Sequence, residues 1–463
     1  MTGLTPAAID ALKTKLAGEI VLPGNDGYDN ARALWNAMID KHPAVIVQCA
    51  NTADVVQAVN FARDNGAPLS VRGGGHNIAG SALCDDGVVV DLSKMRAVTV
   101  DPAARRAFVE GGARVADVDA ATQAHGLAAP LGIHSPTGAG GLTLGGGFGW
   151  LSRKHGLAID NLISAEIVTA AGEVVRASEN EHPDLFWALR GGAGNFGAVT
   201  RFEFQVHPVG PDVLGGLIVY PLAGAKVMLQ AYHEIAMMAP EEMSVWAILR
   251  QAPPLPFLPE EFHGMAVIVF AVFYAGDPEE GRSFIEPMRQ MTGVLGENVA
   301  VQPYTQWQQA FDSWFVTGAR NYWKSHNFSA FDNRLLDIII EYIESLPSPR
   351  FEILVSSLGR ATTRVAPGAT AYAHREAHFV VNVHGQWEDS ADDERCIAVA
   401  REFYDLAAPY ADDGVYPNFL AADEGDRARA AYGLNHRRLA EIKRTYDSAN
   451  LFQGNPNIKP AAE

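Results

Sequence analysis

Two histidines beside glycine tracts are the residues of this chain with the clearest chemical potential. His76 lies in Arg72-Gly73-Gly74-Gly75-His76-Asn77, with Ser81 just beyond. His134 opens a second tract that runs through Ser135, Pro136, Thr137, Gly138, Gly140, Gly141, Thr143 and Gly145 to Gly147. Glycine has no Cβ, so such a backbone can press against a ligand and aim successive N–H groups at phosphate oxygens. Two tracts of this kind fit a long ligand such as a dinucleotide, whereas either one alone reads equally well as a glycine-rich surface turn. The imidazole at the loop's edge is open to two roles on the residues alone, phosphate contact or structural hydrogen-bonder.

Other phosphate-binding and hydrolytic signatures are missing. The first tract does not follow the Gly-x-Gly-x-x-Gly pattern with an acidic residue further on, so a Rossmann NAD site fits poorly. There is no Walker-type Gly-Lys-Ser/Thr loop, no His-Glu-x-x-His and no Gly-x-Ser-x-Gly. Cys49, Cys84 and Cys396 are dispersed without metal-ligand spacing, so neither a disulfide framework nor a metal site is expected. The 36 basic and 54 acidic residues give a net charge of −18, which disfavours nucleic acid and anionic lipid as partners. The longest apolar stretch, Met265 to Ala275, is far shorter than the about 20 residues a membrane span needs. The first residues carry no basic-then-apolar leader, so a cytoplasmic location is the expectation.

The elements that must hold the tracts follow from periodicity. Residues 44–48 read as a buried strand, Thr52 as the cap of a helix with Val55, Val56, Val59 and Ala62 inward, and Leu69-Ser70-Val71 as a strand feeding the first tract. Val88–Leu92 and Ala107–Glu110 are further strands, and a helix runs from about Val115 to His125. Ile163–Thr169 and Glu173–Ala177 form a hairpin about Ala171-Gly172, and Ala198–Val206 is a strand. Beyond Pro208, Gly210 and Pro211 the texture changes. Strands at Leu217–Tyr220, Met243–Gln251, Met265–Tyr274, Phe351–Leu358 and Phe379–Trp387 alternate with helices near 225–238, 279–292, 332–345 and 392–407, as in a broad antiparallel sheet. In the last strand Val380, Asn382, His384 and Gln386 share one face and Phe379, Val381 and Val383 the other, which suits a polar cleft wall, with a solvent-facing sheet edge as the alternative. The clusters Trp314-Phe315 and Tyr322-Trp323 read as core or as pocket wall.

The two tracts occur in order with Asp91-Leu92-Ser93, Asp160-Asn161, Asp184–Gly192 and Gly194-Asn195-Phe196-Gly197, and the chain closes on Tyr432-Gly433-Leu434-Asn435-His436, Lys443, Tyr446-Asp447 and Asn450-Leu451-Phe452. This series resembles the berberine-bridge-enzyme-like branch of the vanillyl-alcohol-oxidase (PCMH-type) FAD flavoproteins over roughly residues 28–207 and 430–460. The resemblance implies an α+β fold: a PCMH-type FAD-binding domain of two α/β subdomains (1–207), a substrate domain with a large antiparallel sheet covered by helices (208–424), and a C-terminal segment (425–463) returning to the first. It implies FAD covalently bound through His76, with Arg72, Gly73, Gly74, Gly75, Asn77, Ser81, His134, Pro136, Thr137, Gly138, Gly140, Gly141, Thr143, Gly145, Val199 and Asn435 around the cofactor.

Many members of the family carry a second, cysteinyl tether where this chain has His134, so a single tether is implied here. Packing by the ring and hydrogen bonding to substrate are both open to His134. Thr137 stands where a small or β-branched residue accompanies reaction with O2 in the family, which leans toward an oxidase acting on a small organic molecule. A dehydrogenase with another acceptor and a natural-product tailoring or cyclising enzyme are the alternatives. His384, Asn382 and Tyr432 are the candidates for substrate proton removal and positioning.

Overall fold

The computed structural model describes residues 4–462. Near-continuous apolar runs build the first sheet, as expected where both faces are covered. Val45–Gln48, Val88–Asp91 and Leu69–Arg72 pair in parallel, and Glu19–Val21 adds an antiparallel edge beside Val45–Gln48. The helix Thr52–Asp64 lies on this sheet with Val55, Ala58, Val59 and Ala62 buried. Its cap is Asn51, not the expected Thr52: the Asn51 carboxamide accepts from Asp54 N at 3.1 Å, and the Thr52 hydroxyl donates to Glu166 at 2.9 Å. Both side chains have capping chemistry, and the long-range acceptor decides between them.

The second sheet is antiparallel throughout, in the order Val98–Asp101, Arg106–Glu110, Ala198–Gln205, Leu162–Val168, Val174–Ser178. The last two strands form the hairpin about Gly172, whose φ of +77° suits glycine.

A third, eight-stranded antiparallel sheet spans residues 212–387. Its two faces segregate by alternation. Tyr220, Ala247, Phe270, Ile353, Val381 and Val383 pack beneath the helices Ala225–Met238, Pro278–Arg289, Asn333–Ile343 and Asp393–Ala407. Val219, Trp246, Ile248, Val269, Leu354 and Val380 face the other way, against Phe148, Trp150 and Tyr416. The strand Arg320–Phe328 pairs with Phe379–Trp387 at one edge and had no counterpart in the periodicity. Its sequence Arg-Asn-Tyr-Trp-Lys-Ser-His-Asn-Phe has no aliphatic alternation, yet most of it is buried because the helix Asp393–Ala407 covers one side while Trp35, Asn36 and the turn Pro417–Phe419 pack against it elsewhere.

The chain then returns. The helix His436–Tyr446 packs on Pro183–Leu189, and Phe452 bridges to Leu69. A fully buried ion pair locks this return: Lys443 Nζ donates to Asp447 Oδ2 at 2.6 Å and to the carbonyls of Asn195 and Phe452, while Asp447 also accepts from the amides of Leu451 and Phe452. Lys443→Met is expected to lower stability by about 3–5 kcal/mol, because Asp447 is left buried without its cation. Thermal unfolding measures this, and an unchanged midpoint would show that the pair contributes nothing.

Candidate active site

Strand Leu69–Arg72 ends at the first glycine tract, and the short helix Ala139–Leu144 begins in the second. The two backbones touch. A Cβ on Gly74 would lie 2.4 Å from Gly138 N, so both positions require glycine for this approach. Asn77 closes the first loop by accepting from Ala79 N and Ser81 N at 3.1 and 3.2 Å. A long cavity, open to solvent at its mouth, starts here between the N-terminal sheets and reaches the inner face of the eight-stranded sheet.

His76 stands where the glycine cradle meets that sheet. Its ring stacks on Trp35 at 4.2 Å with 18° between planes, and its Nε2 lies 3.0 Å from His134 Nδ1. Enclosure lowers the His76 pKa well below its ordinary value, with the neighbouring His134 acting in the same direction. His134 is lowered to about 4, chiefly by burial and against the opposing pull of Asp312. Both rings are neutral near pH 7.

A polar row crosses the sheet beside them. Arg250, Glu352, His384 and Trp323 are direct partners in register on four adjacent strands. Arg250 Nη1 donates to Glu352 Oε2 at 2.8 Å, and Glu352 Oε1 lies 3.3 Å from His384 Nδ1. His384 Nε2 faces Asn321 Oδ1, also at 3.3 Å, and the Asn321 amide is oriented by donating to Ala319 O. Burial raises the Glu352 carboxyl, but Arg250 and His384 outweigh it and hold it below the ordinary value. Asn382, on the same strand face as His384, lines the cavity with its Oδ1 buried and without a partner among the described residues. Phe315, Trp323, Trp246 and Phe419 supply aromatic walls.

Residues 43–178 match the family described as FAD binding domain, and residues 415–459 match the family described as berberine and berberine like. An FAD-linked oxidoreductase of Dictyostelium discoideum is 31% identical over 96% of this chain and 95% of its own length. The chain belongs to the berberine-bridge-enzyme-like FAD-linked oxidoreductases. It is likewise 30% identical to the (R)-6-hydroxynicotine oxidase of Paenarthrobacter nicotinovorans, over 97% of this chain and 98% of that one. The crystal structure of 6-hydroxy-D-nicotine oxidase from Arthrobacter nicotinovorans superposes with a TM-score of 0.85 at 29% identity, covering 96% of this chain and 98% of that chain.

The site of this FAD-linked oxidoreductase fits the cofactor on its own geometry. A Cβ built at Gly141 or Gly194 would meet no protein atom, and both residues line the cavity, so bare backbone faces the space a dinucleotide needs. Among the described lining residues there is no Asp, Glu, Lys or Arg. A pyrophosphate would therefore meet backbone amides and no repelling carboxylate.

Of the expected site residues, Gly73, Gly74, Gly75, His76, Asn77 and Ser81 line the cavity from the first tract. His134, Thr137, Gly138, Gly140 and Gly141 do so from the second, Val199 from its strand, and Asn382 and His384 from the large sheet. Six do not, and each has another occupation. Arg72 donates to the carbonyls of Ala31 and Ala33. Pro136 lies in the turn outside the wall, the Thr143 hydroxyl bonds back to Ala139 O at 2.7 Å, and Gly145 packs on Asn418. Asn435 donates to the carbonyls of Pro367, Thr370 and Ala371, so it fastens a loop. Tyr432 is fully buried behind the cavity, its hydroxyl among Asn195 and the carbonyls of Gly192 and Pro456, and burial raises its pKa. That placement removes Tyr432 from the candidates for proton removal.

Several lining or supporting residues had not been singled out: Trp35, Asp312, Glu352, Asn321, Tyr416 and Asn418. Tyr416 and Asn418 follow Gly414, in a stretch whose Pro417 reads only as a break. Tyr416 OH accepts from Gly147 N at 3.1 Å and Asn418 Nδ2 at 3.0 Å, and burial pushes its pKa up to about 12. For Glu352 a signal existed: period two places Glu352, Leu354 and Ser356 on one face, and the latter two line the cavity.

Proposed function

We propose that this enzyme is an oxidase with a single covalent link to FAD through His76, acting on a small, uncharged organic substrate at a C–H next to a hydroxyl or amine. The observation that carries this reading is one continuous cavity, walled by the glycine cradle at one end and by Asn382, His384 and aromatic rings at the other, with His76 at the junction. Bound FAD supplies the redox chemistry, taking up the hydride and passing two electrons to O2, which leaves as hydrogen peroxide. The protein binds, orients and moves a proton. Asn382 Oδ1, without a donor among the described residues, is an acceptor for a substrate O–H or N–H. Phe315, Trp323 and Phe419 hold a flat or ring-shaped body. We assign residues 1–207 and 425–463 to the cofactor unit and 208–424 to the substrate unit, supported by the packing of helix His436–Tyr446 on Pro183–Leu189.

The names of the relatives span hydroxylated N-heterocycles and oligosaccharides. The charge-free, aromatic wall favours the former kind of substrate, a hydroxylated or aminated ring. A panel of neutral alcohols, heterocycles and sugars, screened for anaerobic bleaching of the flavin and then for peroxide on admitting air, tests the proposal. Bleaching without peroxide would favour the dehydrogenase reading.

Thr137 lines the cavity, and its Oγ1 lies 3.3 Å from His134 Nδ1. Thr137→Leu adds bulk at this wall and is expected to slow reoxidation by O2 several-fold, while flavin reduction by substrate stays near the wild-type rate. Stopped-flow reoxidation of the reduced enzyme measures it. Equal reoxidation rates would remove Thr137 from control of oxygen access.

A further inference from the structure

We propose that a second pocket, at the C-terminal end of the helix Ala225–Met238, binds a phosphate group. Arg153, Arg360, Arg364 and His378 line it, and among the described residues it shares none with the active-site cavity. The proposal does not depend on the covalent reading of His76.

Arg153 enters from the segment behind the second glycine tract and is 3% exposed. Its Nε, Nη1 and Nη2 donate to the carbonyls of Met243, Leu358 and Ala239 at 2.7, 2.6 and 3.0 Å. Arg360 enters from the turn after the strand Glu352–Ser357. Its Nη2 reaches the carbonyls of Met237, Met238 and Ala239 at 2.9, 3.0 and 2.7 Å. Both guanidinium groups therefore converge on one oxygen, that of Ala239. Each arginine has five N–H donors. Nε and Nη1 of Arg360, and a second hydrogen on each Nη of Arg153, remain without a partner among the described residues.

Charge makes an anion the fitting occupant. The open carbonyls of a helix end carry about half a negative charge, against two whole positive charges here. Of the three arginines only the exposed Arg364 has a carboxylate partner among the described residues, Glu241. Burial, and then the neighbouring Arg360, lower the Arg153 pKa to about 10. His378, whose Nδ1 lies 3.0 Å from Met237 Sδ, is lowered by burial and by Arg153, His233 and Arg360, with Asp412 opposing. The pocket is thus positive in a chain whose net charge is −18. A phosphate dianion matches two uncompensated guanidinium groups and offers oxygens to their forked donors, whereas a carboxylate brings half the charge. The backbone points the same way. Arg360 has φ +54° and ψ −117°, where glycine is favoured, and such strain persists where the side chain has a task.

Titration calorimetry on the FAD-loaded enzyme, whose glycine cradle is already filled, tests the site at constant ionic strength. Calorimetry is the readout because phosphate raises melting points in general, by exclusion from protein surfaces. Inorganic phosphate is expected to bind with a Kd below about 1 mM, and acetate at least about tenfold more weakly. Glycerol phosphate binding more tightly than inorganic phosphate assigns a phosphorylated small molecule as the ligand, and weaker binding assigns the free ion. Arg360→Gly removes the charge and relieves the backbone, and is expected to weaken phosphate binding at least about tenfold. Arg360→Gln keeps an amide donor for the helix end and is expected to do the same, so the answer stands even where the glycine variant does not fold. Glu241→Gln frees Arg364 and is expected to bind phosphate no more weakly than wild type. No phosphate binding by wild type, acetate as tight as phosphate, wild-type affinity in the Arg360 variants, or weaker binding in Glu241→Gln overturns the proposal.

Discussion

His76→Ala is expected to abolish covalent flavin completely while leaving FAD able to bind. Acid precipitation should leave the yellow colour in the wild-type pellet and move all of it to the supernatant for the variant. The effect is all-or-none because a methyl group offers no nucleophile, and no cysteine is among the described residues that line the cavity. Cys84 is half-buried, its Sγ directed at Val88 O, and it is not among the residues lining the cavity. Cys49 is buried under the first sheet. Binding survives in the variant because the cradle is mostly main chain: Gly74 against Gly138, and the open faces of Gly141 and Gly194, are untouched by a change at the ring. Flavin that washes from the unaltered enzyme on denaturation would falsify the tether.

The parts of this site that were legible in the sequence are those whose chemistry is local. A glycine tract with a histidine states its own requirement, since only glycine allows two backbones to meet as Gly74 and Gly138 do. Period-two alternation in Phe379–Trp387 likewise places Asn382 and His384 on one face without reference to any other element. Strand and helix spans in the large sheet follow for the same reason: Met243–Gln251 and Ala225–Met238 carry their patterns within themselves.

The illegible parts depend on what lies across a gap. Tyr432 and Asn435 have hydrogen-bonding chemistry suited to a flavin edge, but the fold spends it on carbonyls of Pro456, Pro367 and Thr370. Asp312 gains its meaning only when the chain brings it to Ser135. The strand Arg320–Phe328 is polar along its length and is held by pairing with a neighbour whose polar face it shares. Asn321 reaches His384 and Gln386 only through that pairing.

His384 is expected to matter most in the reductive half-reaction. Loss of hydride from a carbinol carbon is easier when the hydroxyl proton departs with it, and help of this kind is typically worth about 10²–10⁴-fold. The two nitrogens of His384 face Glu352 Oε1 and Asn321 Oδ1, both oxygens, which are the partners a ring bearing two protons needs. Arg250 balances the Glu352 charge, so the carboxylate stays available as an acceptor inside the sheet. Both contacts are long at 3.3 Å, leaving room for the ring to shift toward a substrate hydroxyl beside Asn382. His384→Ala should therefore slow anaerobic flavin reduction about 100-fold. Glu352→Gln should slow it less, because the ring survives with a weaker acceptor. Tyr432→Phe should leave the rate unchanged and cost only about 0.5–1.5 kcal/mol of stability, the worth of an ordinary hydrogen bond. Stopped-flow bleaching by one substrate across the three variants separates these outcomes. If His384→Ala reduces at the wild-type rate, the proton leaves by another route, and Tyr416, held by Gly147 and Asn418 at the same cavity, becomes the residue to replace next.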